Sequence, residues 1–119
     1  MPIKFEILDV GHGFCAFIEA ENKNLILIDC GMKSDPPFLP SSYLWSMGQR
    51  SIEYLFITNY DEDHISNLPE SISNFSISIF HRNRSISRNE LEMLKKENGL
   101  LSSAMISLLD MMDRYTEEV

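Results

Sequence analysis

No long apolar run is present in this sequence. The uninterrupted apolar stretches, such as Phe14–Ile18 and Leu25–Ile28, are far shorter than the ~20 residues a membrane-crossing helix needs. No membrane association is therefore expected. The opening residues alternate instead of forming an apolar core, so an export signal is not expected and a cytoplasmic location is. Cysteine is scarce. Cys15 and Cys30 are the only two, and neither has the close spacing of a structural zinc knuckle. Without an export signal they read as free thiols packed as small core residues. Positive charge is also scarce. Ten Lys and Arg face 18 Asp and Glu, a net charge of −8. Such a chain repels a polyanion overall, so any phosphate-bearing substrate must be met by metal ions or a local basic patch. Glycine and proline number five each, too few for a collagen-like or low-complexity chain.

What the 119 residues do contain is apolar side chains at 44%, enough for the core of one domain. Ile3, Phe5 and Ile7 alternate with Lys4 and Glu6, the period of a half-buried strand over about residues 3–8. Strands are expected over about 14–20, 25–29, 53–58 and 75–80. The runs at Leu25–Ile28 and Tyr54–Ile57 read as strands covered on both faces. Residues 33–42 are rich in Pro and Ser and are expected to be mostly loop. A short helix is expected over about 42–47, ending at Gly48. Ser87 and Glu90 have capping-box spacing and open a helix over about 88–98. Ser102 or Ser103 opens a last helix, about 103–117, with Met105, Leu108, Leu109 and Met112 on its packing face. Strands and helices are both expected, an α/β chain whose first 30 residues look like a meander of three strands.

The densest chemistry follows the strand 53–58, in Thr58-Asn59-Tyr60-Asp61-Glu62-Asp63-His64. Asp61, Asp63 and His64 are three potential metal ligands within four residues. Carboxylate with imidazole suits Zn²⁺, Mn²⁺ or iron. The alternative is an acidic, solvated turn, since Asp and Asn are common turn formers. The setting favours the first reading: an apolar strand delivers the cluster, and Ile65 follows it.

Three motifs in chain order resemble the metallo-β-lactamase fold, most nearly the branch that includes the hydrolase domain of the competence protein ComEC. Asp9-Val10-Gly11-His12-Gly13 is similar to that branch's Asp-Val-Gly-Gln-Gly. Ile28-Asp29-Cys30-Gly31 is similar to its Ile-Asp-x-Gly. Thr58 to His64 is similar to its Thr-His-x-His/Asp-x-Asp-His. The resemblance spans about residues 3–70. It implies a metal-dependent hydrolase, with a phosphodiester or nucleic acid as substrate and zinc or manganese as cofactor. It makes Asp61, Asp63 and His64 metal ligands and Asp63 the candidate base. Asp29 is implied to orient the metal loop, and Asn59 stands where the family has its first His. His12 stands where that branch has Gln and is read as a neighbour of the site. Arg82, Arg84 and Arg88 form the one dense basic patch and are candidate phosphate contacts, the bland alternative being a solvated loop.

The family fold is a sandwich of two αβ halves, αββα in layers, and the later ligands come from the second half. This chain is expected to supply the N-terminal half, a mixed sheet with flanking helices. The second half would come from the same gene product, a partner chain or a homodimer mate. Metal binding by the chain alone is then expected to be weak or absent. The rival reading is a degenerate, non-catalytic binding or regulatory subunit.

Overall fold

A computed structural model describes residues 3–115. Five strands form one sheet in the order β1-β2-β3-β6-β7. They are β1 (Lys4–Ile7), β2 (Ala16–Glu19), β3 (Leu25–Ile28), β6 (Ser51–Ile57) and β7 (Ser76–Arg82). The first three make an antiparallel meander, and β3, β6 and β7 run parallel. Between β3 and β6 lie a small hairpin, β4 (Lys33–Ser34) and β5 (Pro37–Phe38), and the helix α1 (Pro40–Ser46). Between β6 and β7 lie α2 (Glu62–Ile65) and α3 (Leu68–Asn74); α4 (Arg88–Lys96) and α5 (Ser103–Arg114) close the described chain. This is the mixed sheet with flanking helices expected from the sequence.

The segment 33–42 departs from the loop expectation. It pairs as the β4–β5 hairpin and then enters α1 with Pro40 in the first turn, where a missing N–H costs nothing. Glu62 to Ile65 also turn into a helix, of a single turn, with Asp61 as its extended N-cap. α4 starts as read: the Ser87 side chain accepts from the Glu90 N–H, and Glu90 reciprocates to the Ser87 N–H. Ser102 caps α5 with its own side chain alone, the hydroxyl oxygen accepting from the Met105 N–H at 3.0 Å. Of the helix expected over 103–117, residues 116–117 lie outside the described residues.

The core sits between the sheet and the helices. Phe17, Leu25, Leu27, Leu55 and Ile57 meet Leu44 of α1, Ile65 of α2, Leu68 of α3, Leu91 of α4, and Leu108 and Met111 of α5. The methionine-rich face of α5 is packing: Met105, Met111 and Met112 are all buried. Cys15 and Cys30 are buried and free.

The other side of the sheet is different. Strand register aligns Phe5, Ile18, Ile26, Tyr54 and Ile79 in one row, and Ile7, Ala16, Ile28, Phe56 and His81 in the next. Phe5 is 58% exposed, Ile7 61% and Ile79 38%. Ile26, Ile28, Tyr54 and Phe56 are half-buried. The expectation that β3 and β6 are covered on both faces therefore holds on one face only. Their apolar runs record the character of both faces, but the helices cover just one.

Candidate metal centre

Strand β3 ends by placing Asp29 in the left-handed region at φ +57°, a conformation that Asp tolerates better than most residues. Asp29 is 1% exposed. Its N–H donates to the Phe56 carbonyl at 2.7 Å, which ties it to the neighbouring strand β6. Its carboxylate accepts three hydrogen bonds: the Thr58 N–H at 2.7 Å, the Thr58 hydroxyl at 2.5 Å and His64 Nδ1 at 2.9 Å. A carboxylate this buried requires such partners. Here they come from the end of β6 and the helix that follows it.

The turn leaving β6 is shaped by Asn59, whose Oδ1 accepts from the Asp61 N–H at 2.7 Å. The chain then coils through α2 and is locked from the other side. The Cys30 N–H donates to the His64 carbonyl at 2.9 Å, and the Asn67 N–H donates to the Cys30 carbonyl at 2.8 Å. The Asp63 carbonyl lies in a slot between two glycines. A Cβ on Gly13 would fall 1.8 Å from that oxygen, and one on Gly31 would fall 2.1 Å from it. Nothing larger than hydrogen fits at either place. The three sequence motifs thus interlock in space, with the glycines of the first two pressed on the backbone of the third.

The consequence for His64 is chemical. Its Nδ1 lies against the Asp29 carboxylate, which can only accept, so Nδ1 carries a proton and in the neutral ring the lone pair is on Nε2. The Asp63 Oδ1 stands 3.8 Å from Nε2. An imidazole backed by a buried carboxylate, presenting its other nitrogen beside a second carboxylate, is the donor arrangement of protein metal sites. It supplies two donors of the four that zinc takes. Among the described residues no group of three or more His, Cys, Asp and Glu side chains is placed to hold an ion. The residues present therefore fit a metal as part of its shell.

The other residues singled out in the sequence are distributed as follows. The Asp61 carboxylate is 71% exposed and lies 3.9 Å from Lys95 Nζ on α4. His12 is exposed in the loop between β1 and β2, one residue before the slot glycine Gly13. Arg82 donates to the Asn83 carbonyl at 3.1 Å and the Ile86 carbonyl at 2.9 Å, bracing the loop after β7. Arg88 pairs with Glu92 and, at 3.1 Å, with Asp113. Arg84 is exposed in the loop between them. Burial pushes the Cys15 thiol up to about 12 and the Cys30 thiol well above its ordinary value, so neither offers a thiolate. A groove of about 410 Å³ runs beside the loop, lined by Thr58, Asn59, Asp61, Asn83, Ile86 and Lys95 among others.

The roles of Thr58 and of the two slot glycines were not drawn from the sequence. Thr58 stands in the third motif beside the more obvious ligands, and its pairing with Asp29 depends on the parallel register of β3 and β6. Gly13 and Gly31 each close a motif, and that repeated position was the available signal.

Among curated proteins none matches the chain. The family model described as the metallo-beta-lactamase superfamily matches residues 8–100. That range takes in all three interlocked motifs, the whole of β2 through α4, and the Asp29–His64 pair. The match covers most of the 119 residues and coincides with the segment that builds the site: the chain belongs to the metallo-β-lactamase superfamily.

Proposed function

We propose that this chain carries the metal-holding part of a hydrolase site, with a phosphodiester, in nucleic acid, as the substrate class. The observation that carries the reading is the Asp29–His64–Asp63 arrangement, in which His64 Nδ1 is bound to a buried carboxylate and Nε2 faces Asp63. His64 and Asp63 would hold a zinc or manganese ion. Asp61 would join them on leaving Lys95. A bound divalent ion supplies Lewis acidity and a water of lowered pKa.

The chain's own residues do the rest. Asp29 keeps the proton on Nδ1, so that Nε2 stays a lone-pair donor. Asp63, half exposed, would accept a proton from an attacking water. The groove past Asn59 and Asn83, with Lys95 on its wall, offers amide and ammonium donors to a phosphate. The substrate class and the ComEC-like branch rest on the motif likeness in Asp9–Gly13, Asp29–Gly31 and Thr58–His64. Arg82, Arg84 and Arg88 lie on the loop and helix past that groove. Arg82 and Arg88 are engaged in local structure and would have to exchange partners to reach an anion.

A shell with two or three donors from one chain binds weakly. Calorimetric titration of the 119-residue chain with Zn²⁺ and Mn²⁺ should give affinity weaker than micromolar, and His64→Ala or Asp63→Ala should abolish it. Hydrolysis of a chromogenic phosphodiester should require a protein that adds the remaining donors. In such a protein Asp63→Ala should remove most turnover. Tight binding that survives loss of both Asp63 and His64, or full turnover in Asp63→Ala, overturns the assignment.

A second reading has its own support. The Asn59 amide, where the family has a His, is used in the turn, accepting from the Asp61 N–H. A site so altered would serve a non-catalytic binding or regulatory subunit. Asn59→His separates the two readings: raised metal affinity favours the hydrolase, and no change favours the binding module.

A further inference from the structure

Resting on the metal reading of Asp63 and His64, we infer that Lys95 is the residue that meets the phosphate of the substrate, and that Asp61 sets when it is free to do so. The groove beside the loop carries one carboxylate, Asp61, and one ammonium, Lys95, and the rest of its lining is neutral. The two charges face each other, with Lys95 Nζ 3.9 Å from Asp61 Oδ1. The sequence of α4 puts the ammonium there. Leu91 and Lys95 are four residues apart and share one side of the helix. Leu91 is buried and lines the same groove, so the helix is fixed with Lys95 on the groove wall. Only 28% of the Lys95 side chain is exposed. The next cation on α4, Lys96, is held by Glu92 at 2.8 Å.

Asp61 is held by its backbone and loose in its side chain. Its N–H donates to Asn59 Oδ1 at 2.7 Å, and its carbonyl accepts from the His64 N–H at 2.9 Å. It is the N-cap of α2, yet its carboxylate makes no capping hydrogen bond. The side chain of an N-cap lies toward the third helical residue, which here is His64. Side-chain rotation alone therefore exchanges Lys95 for an ion held by His64 and Asp63, with the backbone bonds of the turn intact. Once an ion takes the carboxylate, Lys95 stands without its counter-charge on the wall of an otherwise neutral groove. The amide groups of Asn59 and Asn83 share that lining. A phosphodiester restores the single negative charge and offers acceptors to the amide N–H groups. Glu62, on the adjoining depression that Lys95 also lines, is tethered by the Ser102 hydroxyl at 2.7 Å. Metal and phosphate thus bind cooperatively through one exchanged ion pair, and by linkage each raises the affinity of the other by the same factor. For a pair this exposed the factor is about two- to fivefold.

Removing either partner should unmask the other. In calorimetric titration with Zn²⁺, Lys95→Met should bind the ion about two- to fivefold more tightly than the parent chain, because Asp61 is free in advance. The same change made on Asp61→Asn should bring no gain. Dimethyl phosphate, with no metal present, is the second probe. Shifts of the Asn59 and Asn83 amide signals should report affinity about two- to fivefold higher in Asp61→Asn than in the parent. That gain should vanish when Lys95→Met is added. Circular dichroism should be unchanged throughout, and Lys95→Gln serves if Lys95→Met does not fold. Zn²⁺ affinity that Lys95→Met leaves unchanged, or raises equally on Asp61→Asn, overturns this inference; the metal reading stands if His64→Ala still abolishes binding. A phosphate gain in Asp61→Asn that persists without Lys95, or no gain, overturns it as well. Zn²⁺ binding that His64→Ala does not alter, or no Zn²⁺ binding by the parent, removes the metal reading and this inference with it.

Discussion

Replacing Asp29 by Asn tests the centre of the site with almost no change in shape. The side chain keeps its size, and Asn tolerates the left-handed backbone that position requires, so no backbone cost is added. What changes is hydrogen bonding. The Thr58 N–H needs an acceptor at 2.7 Å and will hold the amide oxygen there. The amide nitrogen must then take the place of the other carboxylate oxygen, now facing the Thr58 hydroxyl and His64 Nδ1. The hydroxyl can rotate to accept. His64 can accept only by moving its own proton from Nδ1 to Nε2. Three charge-assisted bonds become neutral ones, and a hydrogen bond to a charged group is worth about 1.5–3 kcal/mol against about 1 for a neutral pair. The net loss should be about 2 kcal/mol, since all three partners remain satisfied. In a domain of this size that lowers Tm by about 6–10 °C. Thermal unfolding followed by circular dichroism gives the first number. Long-range ¹⁵N–¹H correlation spectra of the imidazole give the tautomer, expected as Nδ1–H in the parent and Nε2–H in the variant. Metal affinity, where measurable, should fall by about 10–100-fold as the lone pair at Nε2 is lost. An unchanged Tm together with an unchanged tautomer would refute the reasoning.

Two further outcomes follow from other parts of the structure. Gly31→Ala puts a methyl group 2.1 Å from the Asp63 carbonyl oxygen, a backbone atom that cannot step aside, and should cost about 1–3 kcal/mol in denaturant unfolding. The two thiols make the protein sensitive to alkali: unfolded cysteine ionises near 9, while Cys15 in the folded chain does so at about 12 and Cys30 also resists. Above pH 9 the unfolded state binds fewer protons, so stability should be full below that point and fall steadily between about pH 9 and 12. Cys15→Ala with Cys30→Ala should flatten that slope, as read by urea midpoints across the pH range.

Much of the fold was legible because particular residues carry strong local signals. The alternation at Ile3–Ile7, the apolar run at Leu25–Ile28 and the Ser87/Glu90 box each specify one conformation, and each element formed where the pattern lies. α2 and α3 were not legible. α2 is a single turn of mostly polar residues, held by tertiary partners: Ile65 buried beneath it and the bonds between Cys30 and the His64–Asn67 backbone. α3 begins with Pro69 in its first turn, a residue that reads equally well as a loop signal. At the site, the ligand character of Asp63 and His64 is written in their chemistry. The direction each side chain takes is not, because it depends on Thr58 facing Asp29 across a parallel pair and on Lys95 reaching Asp61 from α4. Nor does an apolar run state how many layers cover it, and β3 shows the difference.

The slot that holds the Asp63 carbonyl has a consequence for motion. Gly13, Gly31 and the Cys30–His64 and Asn67–Cys30 bonds bring together segments from the start of the meander, the end of β3 and the crossover after β6. No short stretch of chain can release this turn, because its holders sit at the ends of two different strands, Gly13 before β2 and Cys30 and Gly31 after β3. The amide of Cys30 should therefore exchange its hydrogen only through global unfolding, as slowly as amides in the middle of β6. Any ion bound at His64 would then be felt by the whole domain, and its affinity would be read in the unfolding temperature of every element together.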